Sequence, residues 1–272
     1  MTRSRTAVLA TTGSIVGAGV ALVSVRALLH RQAAIARRRI GKPHGEDALD
    51  ADRVWRRSLG GDPIDLLVLG DSIAAGLGAQ RRKETLGARL SKGLAGRLHR
   101  PVRLRTGAVV GAETSMLSGQ LDALPADYRP HVAVIIVGGN DVTHRVPVST
   151  SIGHLEAAIR RLHERGTGVV VGTCPDLGAL RPVPQPLRAL GGRMSRQLAT
   201  AQAAAALRIG ATPVSLRRAV GHVFVSQPHE MFSLDRFHPS ALGYRRTADA
   251  LLPAVVHAAA EAPLIHAAGK AP

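Results

Sequence analysis

Four short stretches of this chain carry groups suited to acyl transfer. Gly70-Asp71-Ser72-Ile73-Ala74-Ala75-Gly76 sets a hydroxyl in a small-residue turn, and Gly111-Ala112-Glu113-Thr114 offers a backbone N–H unobstructed by a side chain. Gly138-Gly139-Asn140-Asp141 supplies a side-chain amide, and Asp235-Arg236-Phe237-His238-Pro239 sets a carboxylate three residues before an imidazole. Cleaving an ester by acyl transfer takes a nucleophile, a base that deprotonates it and hydrogen-bond donors for the developing oxyanion. Ser72 is the candidate nucleophile and His238 the candidate base. Asp235 can bend back to the other ring nitrogen, fixing the tautomer and stabilising the imidazolium. The N–H groups of Ser72 and Gly111 and the side-chain amide of Asn140 form a candidate three-donor oxyanion hole.

Each stretch alone is ordinary. Gly-Asp-Ser is a common turn in which Asp71 can cap a helix. Gly-Gly-Asn-Asp reads as a loop, and Asp-x-x-His-Pro as a turn before a helix with Pro239 near its first position. What gives them weight is their order and their placement after strands. Other candidates read differently. His144 is expected on the surface, and Cys174, the single cysteine, as a small buried hydrophobe. Asp176 is the alternative orienting acid, and Gly107 competes with Gly111. There is no HExxH pair, Walker loop, GxSxG elbow or dinucleotide fingerprint, so neither a metal nor a cofactor is expected.

The elements that must position these groups follow from hydrophobic pattern. Residues 64–69 (IDLLVL) form a short apolar run ending at Gly70, a buried-strand signature. Further strands are predicted over 102–110, 131–137, 168–173 and 212–216. Helical spacing covers 86–98, 113–124, 152–162, 187–209 and 241–260. Strands alternating with helices imply an α/β architecture with a parallel five-stranded sheet covered on both faces. Ligand sites in such sheets lie beyond the strand C-termini. The first three stretches fall on that edge.

With Gly70-Asp71-Ser72-Ile73, Gly111, Gly139-Asn140-Asp141 and Asp235-x-x-His238-Pro239 in this order, the chain resembles the SGNH/GDSL hydrolases over roughly residues 64–260. Ile73 stands where the older name expects Leu. The resemblance implies a flavodoxin-like three-layer α/β/α sandwich. It also implies metal-free hydrolysis of esters or thioesters, with Ser72, Gly111, Asn140 and His238 as signature residues. An acyltransferase would use the same site, because transfer differs from hydrolysis only in which hydroxyl attacks the acyl-enzyme. From a different class, a membrane-tethered basic binding module is the rival reading. The complete Ser72, Asp235 and His238 set speaks against it. The arrangement is similar to anchored or exported actinobacterial members.

Charge and the N-terminus bound the rest. The formal net charge is +17, with 36 basic residues of which only Lys42, Lys83, Lys92 and Lys270 are lysine. The arginines are dispersed and aromatic residues make up only 2% of the chain, so a nucleic-acid partner, which needs clustered charge and stacking platforms, is not expected. Residues 6–25 carry no charge, and a helix of about 20 residues spans a bilayer core. An N-terminal apolar anchor or signal segment is therefore expected over 1–30, with a basic linker over 31–62. A hydrolase domain is expected over 63–262 and a flexible tail over 263–272. The expected partners are a small-molecule or lipid-like ester and the membrane, with the side of the membrane left open.

Overall fold

The computed structural model describes residues 23–268. Six strands form one sheet: β1 (Val54–Trp55), β2 (Ile64–Gly70), β3 (Val102–Thr106), β4 (Val132–Ile136), β5 (Gly168–Gly172) and β6 (Thr212–Val214). Their order is β1-β3-β2-β4-β5-β6, and every pairing is parallel except that of β1 with β3. The five parallel strands thus run 2-1-3-4-5 in their own order, the flavodoxin-like arrangement whose switch point lies between the first and third. Here that point falls between β2 and β4.

Residues 23–40 form helix α1. Then come α2 (Ser72–Ala75), α3 (Leu86–Leu98), α4 (Leu117–Asp122), α5 (Gly139–His144), α6 (Val148–His163) and α7 (Leu187–Arg208). Three short helices follow β6, namely α8 (Leu216–Ala219), α9 (Gly221–Ser226) and α10 (Pro228–Met231), before the long α11 (Ala241–Ala268).

Period-two alternation along the strands builds two cores. Leu66 and Val68 of β2 with Val132, Val134 and Ile136 of β4 face α3 and α11, against Leu90, Leu94, Leu251 and Val255. Leu67 and Leu69 with Ala133 and Ile135 face the other way, against Leu117 and Leu121 of α4 and Leu155, Ile159 and Leu162 of α6. Both faces are therefore buried, which is why these strands read as unbroken apolar runs.

One expectation needs correction, and two further elements lie in segments expected to carry none. The sheet has six strands, not five. β1 is a two-residue antiparallel edge pair with β3, too short and too charged in its surroundings to register as an apolar run. It is held by Trp55, whose ring lies beneath the Lys92 ammonium at 4.8 Å and whose Nε1–H donates to the Ala51 carbonyl at 3.2 Å. β1 and α1 both draw on residues expected to be a linker. Gln32, Ala36 and Ala51 are buried while Arg37, Arg38 and Arg39 face outward, so the outward charge masks the docked face. α11 runs on to Ala268, past the expected start of the tail. The expected membrane-spanning run over 6–25 lies, apart from 23–25, outside the described residues. Among those described, no helix is long and apolar enough to cross a membrane.

Candidate active site

β2 ends at Gly70, where φ is +130° and an added Cβ would sit 1.8 Å from the Ile136 carbonyl oxygen of β4. Only glycine fits this crossing. Gly70 still pairs with Ile136 of β4, but the register with β3 has ended at Val68, and Gln120 of α4 takes its place. The Gly70 N–H donates to Gln120 Oε1 at 2.9 Å, and Gln120 Nε2 donates to the Gly70 carbonyl at 2.8 Å. Gln202 of α7 performs the same task beyond β4 and β5. It accepts from Cys174 N–H at 2.7 Å and donates to the Val137 carbonyl at 3.0 Å. Two buried glutamines thus satisfy the strand ends on which the site loops are built.

Asp71 caps α2, its Oδ1 accepting from the Ile73 N–H at 3.0 Å, and this fixes Ser72 at the first helical position. Burial pushes the Asp71 carboxyl up to about 6, against the pull of the Ile73 N–H and the nearby His238 ring; Asp141 adds to the rise. Ser72 Oγ lies 2.9 Å from His238 Nε2, and His238 Nδ1 lies 2.6 Å from Asp235 Oδ2.

The loop carrying Asp235 and His238 is closed on itself. Phe232 and Pro239 form a bridge, and the Ser233 N–H donates to the His238 carbonyl at 2.8 Å. Asp235 Oδ1 accepts three bonds of 2.9 Å, from Ser233 Oγ and from the N–H groups of Phe237 and His238. Burial works to raise the Asp235 carboxyl, but the His238 ring and these N–H donors outweigh it and hold the group well below the usual carboxylate range. Gly78, at φ +99°, lets the chain after α2 pass close beneath this loop; an added Cβ would lie 2.8 Å from the Pro239 carbonyl oxygen.

The loop after β3 is pinned to α5. Asn140 Nδ2 donates to the Ala112 carbonyl at 2.9 Å, and the Thr114 N–H donates to Asp141 Oδ2 at 3.0 Å. Asp141 Oδ1 also accepts from Ser151 Oγ at 2.6 Å. Gly111 takes φ +82° in that loop. Among the described residues neither the Ser72 N–H nor the Gly111 N–H has an acceptor. Gly107 differs, since its N–H donates to the Val68 carbonyl at 2.9 Å.

Two cavities meet here. A small one of about 80 Å³ is lined by Ser72, Asn140, Leu216, Val220, Phe224 and Phe237. A cleft of about 800 Å³ is lined by Gly111, Asn140 and His238 on one side and includes residues of α1.

The structure brings together Ser72, Asp235 and His238, and it sets Gly111 and Asn140 along the same cleft. The alternatives border the site without joining these contacts: Asp176 lines the small cavity beside Ser72, and His144 lines the larger cleft. Asp176 is engaged by Arg217 at 3.2 Å and Arg196 at 3.5 Å. His144 is exposed and pairs with Glu113 at 2.6 Å. Cys174 is buried, and that burial pushes its thiol up. Among the described residues no cluster of three His, Cys, Asp or Glu side chains has metal-holding spacing. Sequence reasoning missed Gln120, Gln202, Ser233 and His44, whose ring Nε2 lies 2.9 Å from Ser233 Oγ. Nothing in the local sequence around any of them marks a site.

Comparison with known proteins gives the family and the fold. The model of the GDSL-like lipase/acylhydrolase family matches residues 68–246. A curated relative, the GDSL-like esterase Rv1075c of Mycobacterium tuberculosis, is 40% identical over 274 aligned positions, covering 96% of this chain and 86% of that protein. Among solved structures, TesA has a TM-score of 0.58 at 24% identity, over 71% of this chain and 99% of that one. Axe2, an acetylxylan esterase from Geobacillus stearothermophilus, has a TM-score of 0.55 at 18% identity, over 72% and 95% of the two chains. At these identities the two structures speak for the fold.

Proposed function

Because the chain belongs to the GDSL-like lipase/acylhydrolase family and is an ester-hydrolysing enzyme, we propose that it cleaves carboxylic esters or thioesters through an acyl-enzyme on Ser72. The observation that carries this reading is the run of short contacts from Ser72 Oγ through the two nitrogens of His238 to Asp235, at 2.9 and 2.6 Å.

In the first step Ser72 Oγ attacks the acyl carbon while its proton passes to His238 Nε2. The carbonyl π pair moves onto oxygen. That oxyanion is met by the N–H groups of Ser72 and Gly111 and by the Asn140 amide proton not used on Ala112. Collapse expels the leaving group, which takes the proton from His238. Water then attacks the acyl-enzyme, giving a proton to His238, and collapse returns that proton to Ser72 and releases the acid. Asp235 stays ionised throughout and holds the ring in the tautomer with Nδ1–H. The rising positive charge on the ring is stabilised by that carboxylate.

The test is Ser72→Ala in the full chain, assayed on p-nitrophenyl esters of graded acyl length. The reading predicts loss of turnover on all of them with an unchanged thermal unfolding curve. A variant that keeps turnover within about tenfold of the parent contradicts it.

A further inference from the structure

Residues 23–46 precede the stretch that the family model matches, yet they border the cleft. Gln32 of α1 is buried. Its amide donates to the Gln185 carbonyl, and its Oε1 accepts from the Leu187 N–H at 2.9 Å. The Arg39 guanidinium donates to the Pro182 carbonyl at 3.3 Å, while the Arg39 carbonyl accepts from Arg236 Nη2 at 3.1 Å. The segment therefore ties the Pro-rich loop 181–186 to the loop 232–239 that carries Asp235 and His238. Leu29, Ala33, Ala36 and Ile40 recur at helical spacing and line the cleft of about 800 Å³.

Past α1 the chain turns at Gly41, with φ +61°, and Pro43 leads into His44. The His44 side chain is 14% exposed, and its Nε2 lies 2.9 Å from Ser233 Oγ and 3.9 Å from Asp235 Oδ2. Ser233 Oγ lies 2.9 Å from Asp235 Oδ1, and since an ionised carboxylate can only accept, the single hydroxyl proton of Ser233 is committed to that bond. The Ser233 oxygen is then an acceptor toward His44, so the His44 ring donates through Nε2–H.

We infer that His44 is a positioning residue of the hydrolytic site. By donating to Ser233 it holds the hydroxyl proton on Asp235 Oδ1, which leaves Oδ2 to face His238. The segment that carries it is part of the active-site wall. This rests on the reading of Ser72, His238 and Asp235 given above. The physical logic is that of a supporting shell. A carboxylate whose second oxygen is saturated by fixed donors has less freedom to rotate away from the imidazole. His44 acts only through Ser233, so removing either partner should release the same constraint.

The test uses the full chain and a p-nitrophenyl ester, with His44→Leu, His44→Gln, Ser233→Ala, the double variant His44→Leu/Ser233→Ala, and Ser72→Ala. Leucine keeps bulk without a donor, and glutamine keeps a donor near the Nε2 position. The inference predicts a kcat about 3- to 10-fold lower for His44→Leu, as expected for one lost hydrogen bond, with KM within about twofold. Glutamine should restore most of that loss. The double variant should be no slower than Ser233→Ala alone, since coupled partners are not additive. Parental kcat in His44→Leu, a change confined to KM, or losses that add in the double variant would each overturn it. Ser72→Ala separates the two levels. If it is inactive while His44→Leu is parental, only this inference fails. If it stays active, the underlying mechanism fails and this inference with it.

Discussion

Asn140 donates its side-chain amide to the Ala112 carbonyl at 2.9 Å, binding the helix after β4 to the loop after β3. The bond does two things. It orients the remaining amide proton of Asn140, and it fixes the neighbouring Gly111 N–H on the same cleft. Asp141, by accepting from Thr114 N–H and Ser151 Oγ, makes the same connection one residue later.

Asn140→Ala removes one oxyanion donor and one of these ties. Turnover should fall about 10²–10³-fold, with a smaller change in KM. The Asp141 bonds remain, so the protein should still fold. Steady-state kinetics alongside thermal unfolding checks this. A variant that unfolds, or one that loses KM alone, would assign Asn140 to architecture or binding in place of the oxyanion.

Asp71 gives the chain a pH signature of its own. An unfolded aspartate ionises near ~4, whereas burial holds the folded Asp71 carboxyl up to about 6. Between those values the folded state binds the extra proton, so stability falls as pH rises from about 4 to about 6 and the penalty is complete above that window. The gap corresponds to about 2–3 kcal/mol. Asp71→Asn carries no titrating group, so its stability relative to the parent should improve by about that much between pH 4 and pH 7.5. Urea unfolding at several pH values reads this difference directly. It is insensitive to any constant cost of placing an amide beside the Gly139 N–H. Parallel pH profiles for the two proteins would contradict the account.

Asp235 has the opposite sign. Its folded carboxyl is held well below the ordinary range, so it is ionised wherever the enzyme works. Its contribution to stability is present above about pH 4 and is lost as pH falls further. Asp235→Asn should lower kcat about 10³–10⁴-fold at neutral pH, because the amide favours the wrong ring tautomer. It should also remove this group's share of the acid-unfolding transition. Asp176→Asn is the comparison, since Asp176 is engaged by Arg196 and Arg217. Should Asp176→Asn lose activity while Asp235→Asn keeps it, the orienting acid has been misassigned.

Much of this was legible in the sequence, for a physical reason. Strands buried on both faces leave apolar runs such as 64–69, and glycines forced to positive φ, Gly70 and Gly138 among them, punctuate their ends. The two carboxylate–imidazole partners sit three residues apart in one closed loop, so their pairing needs no long-range knowledge. What stayed hidden depends on distant partners. Gln120 reaches Gly70 across 50 positions, and His44 reaches Ser233 across 189. Neither residue type nor spacing announces such contacts. β1 was missed because its two residues depend on pairing and on Trp55, and α1 because its outward arginines hide the docked face.

The central claim is that Ser72 is the group that takes the acyl chain, and covalent capture tests it most directly. The full protein is treated with a fluorophosphonate, and the modified peptide is located by mass spectrometry. The account predicts one adduct, on Ser72 Oγ, forming quickly in the parent, much more slowly in Asp235→Asn and not at all in Ser72→Ala. An adduct on any other residue, or equal labelling in Ser72→Ala, would contradict it.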